Sequence, residues 1–232
     1  MGSAKDYGAV WVVSEHQSQQ QSQRHNQTCA FDTESIRRGF VESAKEFVRV
    51  VDLLAKQDLD WNSPVGDSAW SLRTVVGHCS RALRTPVTYL ERGKGLEPTL
   101  SHPFDYFGVL SSDYSVLTAI LERAKKAAED LGADPAECVR QLAVEVIDAV
   151  AEAPDQAPVS TAAGVMTLCS YLPSRVMVLT IDTGALANTF GTDLRVGEDA
   201  ARIAFLMSVG VVAEAPANVD VLKLGVPSLS PS

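Results

Sequence analysis

Apolar residues recur every three to four positions through most of this chain, the spacing of one face of an α-helix. Between Ser35 and Lys56, Ile36, Phe40, Phe47, Val50, Val51 and Leu54 form such a stripe, and Asp32 or Thr33 stands where an N-cap belongs. The turn-rich passage DWNSPVGDS follows. A second helix is predicted from Trp70 to about Glu91, with Ser68 and Ser71 as alternative caps. Gly93, Gly95, Pro98 and Pro103 mark Arg92 to Gly108 as a long loop. Ser112 to Leu131 reads as a third helix closed by Gly132, and Pro135 to Ala153 as a fourth with proline in its first turn. Pro154 and Pro158 end it. Met166 to Phe190, stopped by Gly191, and about Gly197 to Glu214 complete the helices. Strand-like patterning is confined to Ala9–Val13 and to the Pro-punctuated end, Val219 to Ser232. The sum is an all-α bundle with short connections and antiparallel neighbours.

Ser14 to Thr28, SEHQSQQQSQRHNQT, breaks this pattern. It holds almost no apolar surface with which to offset ordering entropy. Residues 1–31 are therefore expected to be a flexible Gln/Ser-rich segment, and 32–232 one helical domain with a short tail. His16 and His25 become solvated linker histidines. Charge then narrows the partners: Lys+Arg 20 against Asp+Glu 29 gives a net −9. That sign disfavours nucleic acid and a polybasic membrane anchor. No segment approaches the roughly 20 apolar residues of a membrane span, and Ala9–Val13 lacks the flanks of a secretion signal. Asp6 spoils the myristoylation pattern that Met1-Gly2 opens. A cytoplasmic protein acting on a small molecule is expected. The apolar stretch Ile203 to Val212 is a candidate homodimer face.

Cys29, Cys79, Cys138 and Cys169 form no Cys-x-x-Cys pair, so neither a zinc knuckle nor a redox motif is encoded. Those in apolar helical segments are expected to behave as small hydrophobes. Phosphate-binding glycine loops, Gly-x-Ser-x-Gly and His-Glu-x-x-His are all absent.

Two passages carry a resemblance. DWNSPVGDSAWSLRTVVGHCSRAL, from Asp60, contains Trp70, Ser71, Arg73 and His78 in a Trp-(Ser/Thr)-x-Arg-x-x-x-x-His arrangement. GVMTLCSYLPSRVMVLTIDTGALANTFG, from Gly164, begins with Gly164, Met166 and Leu168 in a Gly-x-Met-x-Leu arrangement. Together they resemble the DinB-like superfamily, specifically the N-terminal domain of mycothiol-dependent maleylpyruvate isomerases. The resemblance implies a DinB-like four-helix bundle, with extra helices here. It also implies a divalent metal held by the second-helix His and by the Glu and His of a closing Glu-x-x-x-His-x-x-Asp.

At those closing positions this chain has Arg175, Leu179 and Asp182. His78 alone matches a ligand. An arginine stays protonated and only donates, so it cannot ligate a cation. A metal-independent site is therefore expected, with a low-molecular-weight thiol as the one conceivable co-substrate. Tyr171, Arg175, Leu179 and Asp182 follow one stripe of the closing helix. The resemblance turns that stripe toward an inter-helix cavity shared with His78.

Arg175 is then the candidate anion-stabilising group, His78 the acid or base, and Asp182 the third catalytic candidate. Tyr171, Leu179 and Trp70 are candidate substrate contacts, Tyr171 through its hydroxyl. The rival structural expectation is a buried Arg175–Asp182 ion pair beside a satisfied core histidine. Cys79 follows His78 directly, and the two side chains diverge by about 100°, so a nucleophile–base pair is not expected. His102 is assigned to the surface or a lid, Trp61 and Trp70 to packing, and Glu145, Asp148 and Glu152 to a solvated face. An isomerase, cyclase or thiol-dependent transferase is the leading function. A non-catalytic binding or regulatory protein and a transferase with non-standard metal ligands are the alternatives.

Overall fold

The computed structural model describes residues 31–111 and 115–214. The two segments predicted to be strand-like, Ala9–Val13 and Val219 to Ser232, lie outside them. Seven helices appear among the described residues: α1 Thr33–Ala55, α2 Leu72–Gly93, α3 Pro103–Ser111, α4 Ser115–Asp130, α5 Pro135–Glu152, α6 Leu168–Phe190 and α7 Glu198–Glu214. The starts follow from capping chemistry. Asp32 accepts from Ser35 N–H, Ser71 from Thr74 N–H, Asp134 from Glu137 N–H and Thr167 from Ser170 N–H. Between the two candidates for α2, Ser71 is the cap. Ser68 instead hydrogen-bonds within the preceding turn, donating to Val65 O.

Four helices close a ring, α1 against α5 and α6, and α2 against the same two. Helices α1 and α2, consecutive in sequence, face each other across this ring with little contact, so chain neighbours are not all packing neighbours. Helix α4 lies outside α2, α7 against α1 and α6, and α3 against α7 and α6. The most buried helix is α6, apolar on nearly every side. Phe31, counted with the N-terminal segment by composition, is a core residue only 5% exposed.

Two expectations need correction. The 92–108 loop contains the start of a helix, α3, whose N-terminal turn is organised by Asp105 accepting from Ser101 and His102 N–H. Four aromatic residues between positions 101 and 111 decide this: Phe104, Tyr106 and Phe107 pack inward, and His102 Nδ1 accepts from Phe104 N–H. Burying those rings outweighs the Gly and Pro signals in the same stretch. Helix α6 also begins at Leu168 rather than Met166. The preceding residues form a hairpin, β1 Pro158–Ser160 with β2 Val165–Thr167, in which Val159 pairs with Met166. Gly164, at φ +146°, supplies a backbone conformation that side-chain-bearing residues rarely adopt. Strands of three residues are too short to show alternation.

The predicted dimer stretch divides by face. Ile203, Met207 and Val211 are buried, whereas Phe205, Val209 and Val212 are exposed.

Candidate functional site

The Trp70–His78 motif can now be read residue by residue. Val65 N–H bonds to Trp70 O and Leu72 N–H to Ser63 O, so the turn before α2 is pinned where Trp70 meets the helix. Trp70 packs edge-on against the His78 ring, with centroids 5.3 Å apart. Ser71 caps α2. Arg73 reaches across to the end of α4, where Nε donates to Ala128 O at 3.1 Å and Nη2 donates to Gly132 O. The cationic guanidinium thus satisfies carbonyls that a helix C-terminus leaves without partners. Three of the four motif residues are architectural, and they fix the fourth, His78.

His78 faces α6. Its Nε2 lies 3.6 Å from Asp182 Oδ2, while Nδ1 is buried without a partner. Asp182 is fully buried, and its Oδ1 also lacks a partner. The approach would be an ion pair only if His78 were protonated and Asp182 ionised. Burial opposes both. It lowers the imidazole pKa to about 3, with the fields of Arg175, Arg81 and Arg123 adding to the effect. Burial likewise drives the Asp182 carboxyl well above its usual range, against the pull of Arg175. Burial thus disfavours the ion pair from both sides. Cys79 Sγ approaches the same Oδ2 at 4.0 Å, and burial and Asp182 push its thiol pKa up, away from thiolate reactivity. His78 and Cys79 thus diverge from each other yet both reach Asp182, which sequence spacing does not reveal.

Arg175, one helical turn above Leu179, is only 5% exposed. Its guanidinium carbon lies 4.9 Å from the Tyr171 ring centroid and 5.3 Å from that of Tyr106. Nε donates to Ser174 Oγ at 3.0 Å. No carboxylate among the described residues comes within ion-pair distance of it. The Arg175–Asp182 ion pair is therefore not formed. Two aromatic faces take the place of a counter-charge, an arrangement worth about 2 kcal/mol when desolvated.

Tyr171 differs from expectation. Its hydroxyl is fully buried and donates to Thr85 Oγ1 at 2.8 Å, so its ring, not its hydroxyl, serves the site. Leu179, also fully buried, is a core residue of α6. The structure thus brings His78, Asp182, Cys79 and Trp70 into one cluster, with Arg175 and Tyr171 further along α6.

Sequence reasoning missed Tyr106, which closes over Arg175 from α3, and the two arginines Arg81 and Arg123. Arg81, three residues after His78, was legible as a neighbour on the same helix face. Tyr106 carried no signal, because α3 itself read as a loop.

His102 is half-buried at the start of α3 rather than on an open surface, and Glu145, Asp148 and Glu152 are exposed as expected. Trp61 packs against the core. Among the described residues, no group of three His, Cys, Asp or Glu side chains is placed to hold a metal ion, and no helix is long and apolar enough to cross a membrane.

Comparison with known proteins gives one family. No curated protein and no solved structure matches the chain. The family model described as the mycothiol maleylpyruvate isomerase N-terminal domain matches residues 40–181, more than half of the 232. That span includes His78, Tyr171, Arg175 and Leu179, and ends one position before Asp182. With its helical bundle, consistent with a DinB-like fold, the chain belongs to the mycothiol maleylpyruvate isomerase N-terminal domain family.

Proposed function

We propose that the chain binds a small carboxylate-bearing organic molecule between α2 and α6 and acts on it there without a metal ion. The reaction class is isomerisation, cyclisation or thiol-dependent transfer, the last with a low-molecular-weight thiol as co-substrate. Arg175 is the observation that carries this reading: a buried guanidinium without a carboxylate partner among the described residues. Such a cation is costly to bury unless something compensates it. Its planar fork matches a carboxylate bidentately, and in a dry site it stabilises developing oxyanion charge. Tyr106 covers it from α3, so a ligand enters by displacing that helix.

The metal of the wider family does not fit these residues. Arg175 and Leu179 supply no donor electrons, and His78 with Asp182 makes two ligands where three converge in the family pattern. No step is therefore assigned to a metal. His78 takes the proton-transfer role once an anion sits on Arg175. Burial is the first cause of the low imidazole pKa and the field of Arg175 the second; the anion offsets that field, and so moves the pKa of His78 up from about 3. Asp182 Oδ2 lies 3.6 Å from the ring nitrogen, on the side away from the unpartnered Nδ1.

The low pKa of the free imidazole also favours a second reading. A ring this reluctant to protonate is a weak base, which suits a non-catalytic binding or regulatory protein using the same residues.

The test is turnover of maleylpyruvate, with and without mycothiol, by the full chain after treatment with a chelator. Activity is expected to survive chelation. Arg175→Gln and His78→Gln are each expected to lower kcat/KM by roughly a hundredfold or more. Unchanged turnover in both variants would sink the catalytic assignment, while saturable binding without turnover selects the second reading.

A further inference from the structure

Half of the twelve arginines among the described residues meet a carboxylate, among them Arg37 with Asp155, Arg38 with Asp199, Arg49 with Glu46 and Arg140 with Glu137. Of the other half, three share one cleft. It opens between α2, α4 and α5, has a volume of about 280 Å³, and is lined by Arg81, Arg84, Arg123 and Lys126 above a floor that includes Leu131 and Leu142. Asp130 is its one lining carboxylate, and Lys126 approaches it at 3.5 Å, both side chains being well exposed.

The three guanidiniums have no carboxylate partner among the described residues. Arg81 donates to Tyr89 Oη at 3.3 Å. Arg84 is exposed. The Nε of Arg123 is buried with no hydrogen-bond partner at all. Burial and the field of Arg81 both work against the charge on Arg123. A chain of net charge −9 thus gathers four cations in one concavity and leaves a buried donor unused. Like charges held this close raise the free energy of the empty cleft, and an anion lowers it.

We propose that this cleft is a binding site for a phosphate monoester of a small organic molecule. The phosphate lies on the forks of Arg81 and Arg123, and the apolar body lies on the Leu131–Leu142 floor. Two guanidinium forks and the outer pair, Arg84 and Lys126, match a dianion better than a single carboxylate. The volume, near the lower end of small-ligand pockets at roughly 300 Å³, admits a small body and not a polymer. The cleft is not lined by His78, Arg175 or Asp182, so this assignment stands independently of the carboxylate site on α6.

The experiment is an amide-resolved NMR titration of the full chain with phenyl phosphate, inorganic phosphate and benzoate as probes. Phenyl phosphate is expected to saturate, to bind more tightly than either other probe, and to shift amides around Ser80, Lys126 and Cys138. Arg81→Gln and Arg123→Gln are each expected to weaken it roughly tenfold or more. Arg49→Gln, whose partner is Glu46, is expected to leave the affinity unchanged. The proposal is overturned if phenyl phosphate gives no saturable shifts, or if benzoate binds as tightly. It is also overturned if the shifts centre on Arg175 of α6, a result that would support the carboxylate site instead. Should a cleft variant fail to fold, the wild-type shift map decides the question alone.

Discussion

Asp182 and His78 are buried within 3.6 Å of each other, and burial moves their pKa values in opposite directions. The consequences for stability are opposite too. Asp182 binds its proton more tightly folded than unfolded, so its contribution is full below pH 3.8 and is lost as pH rises through the raised folded value. Asp182→Asn is expected to remove that loss, gaining on the wild type as pH rises from 4 toward 8 in urea unfolding. His78 binds its proton less tightly folded, so its contribution is present above pH 6.5 and is lost as pH falls toward about 3. His78→Gln is expected to flatten that acid limb alone. If both variants kept the wild-type pH profile, burial would not be shifting either group. Arg73 gives a prediction of another kind. Arg73→Ala strands the carbonyls at the end of α4 and is expected to cost about 1.5–3 kcal/mol, read as a lower denaturant midpoint.

At the scale of elements, the packing of α4 on α2 controls the basic cleft, and Gly77 permits it. A Cβ at Gly77 would lie 2.5 Å from Ala128 N, part of the backbone of α4, where no side-chain rotation relieves the clash. Gly77→Ala is accordingly expected to destabilise the protein by about 1–3 kcal/mol. Thermal or urea unfolding measures it, and an unchanged midpoint would mean that the two helices are not in such close contact.

Most helices were legible in the sequence for a local reason: the stripe Ile36–Leu54 and the caps Asp32 and Ser71 are decided within a turn or two. Helix α3 and the hairpin were not. The rings of Tyr106 and Phe107 are buried only because α6 and α7 stand nearby, and Val159–Met166 is a pairing across a turn. At the site, the arginine at position 175 was readable from one residue. What surrounds Arg175 was not, since Tyr106 comes from an element that the local signals described as a loop.

Viewed as a whole molecule, the chain is a helical bundle of its family with a buried cation at its centre. The ring of α1, α5, α2 and α6 holds the most buried helix, α6. A cation on that helix, Arg175, is bracketed by Tyr106 and Tyr171. The net charge of −9 would not suggest an anion-binding protein. The distribution does, because Arg175, Arg81 and Arg123 have no carboxylate within ion-pair distance among the described residues.

Calorimetric titration of maleate into the full chain and into Arg175→Gln tests this claim most directly. The wild type is expected to bind saturably and Arg175→Gln roughly tenfold or more weakly, with Arg49→Gln binding as the wild type does. Equal affinity in wild type and Arg175→Gln, or no saturable binding by the wild type, would contradict it.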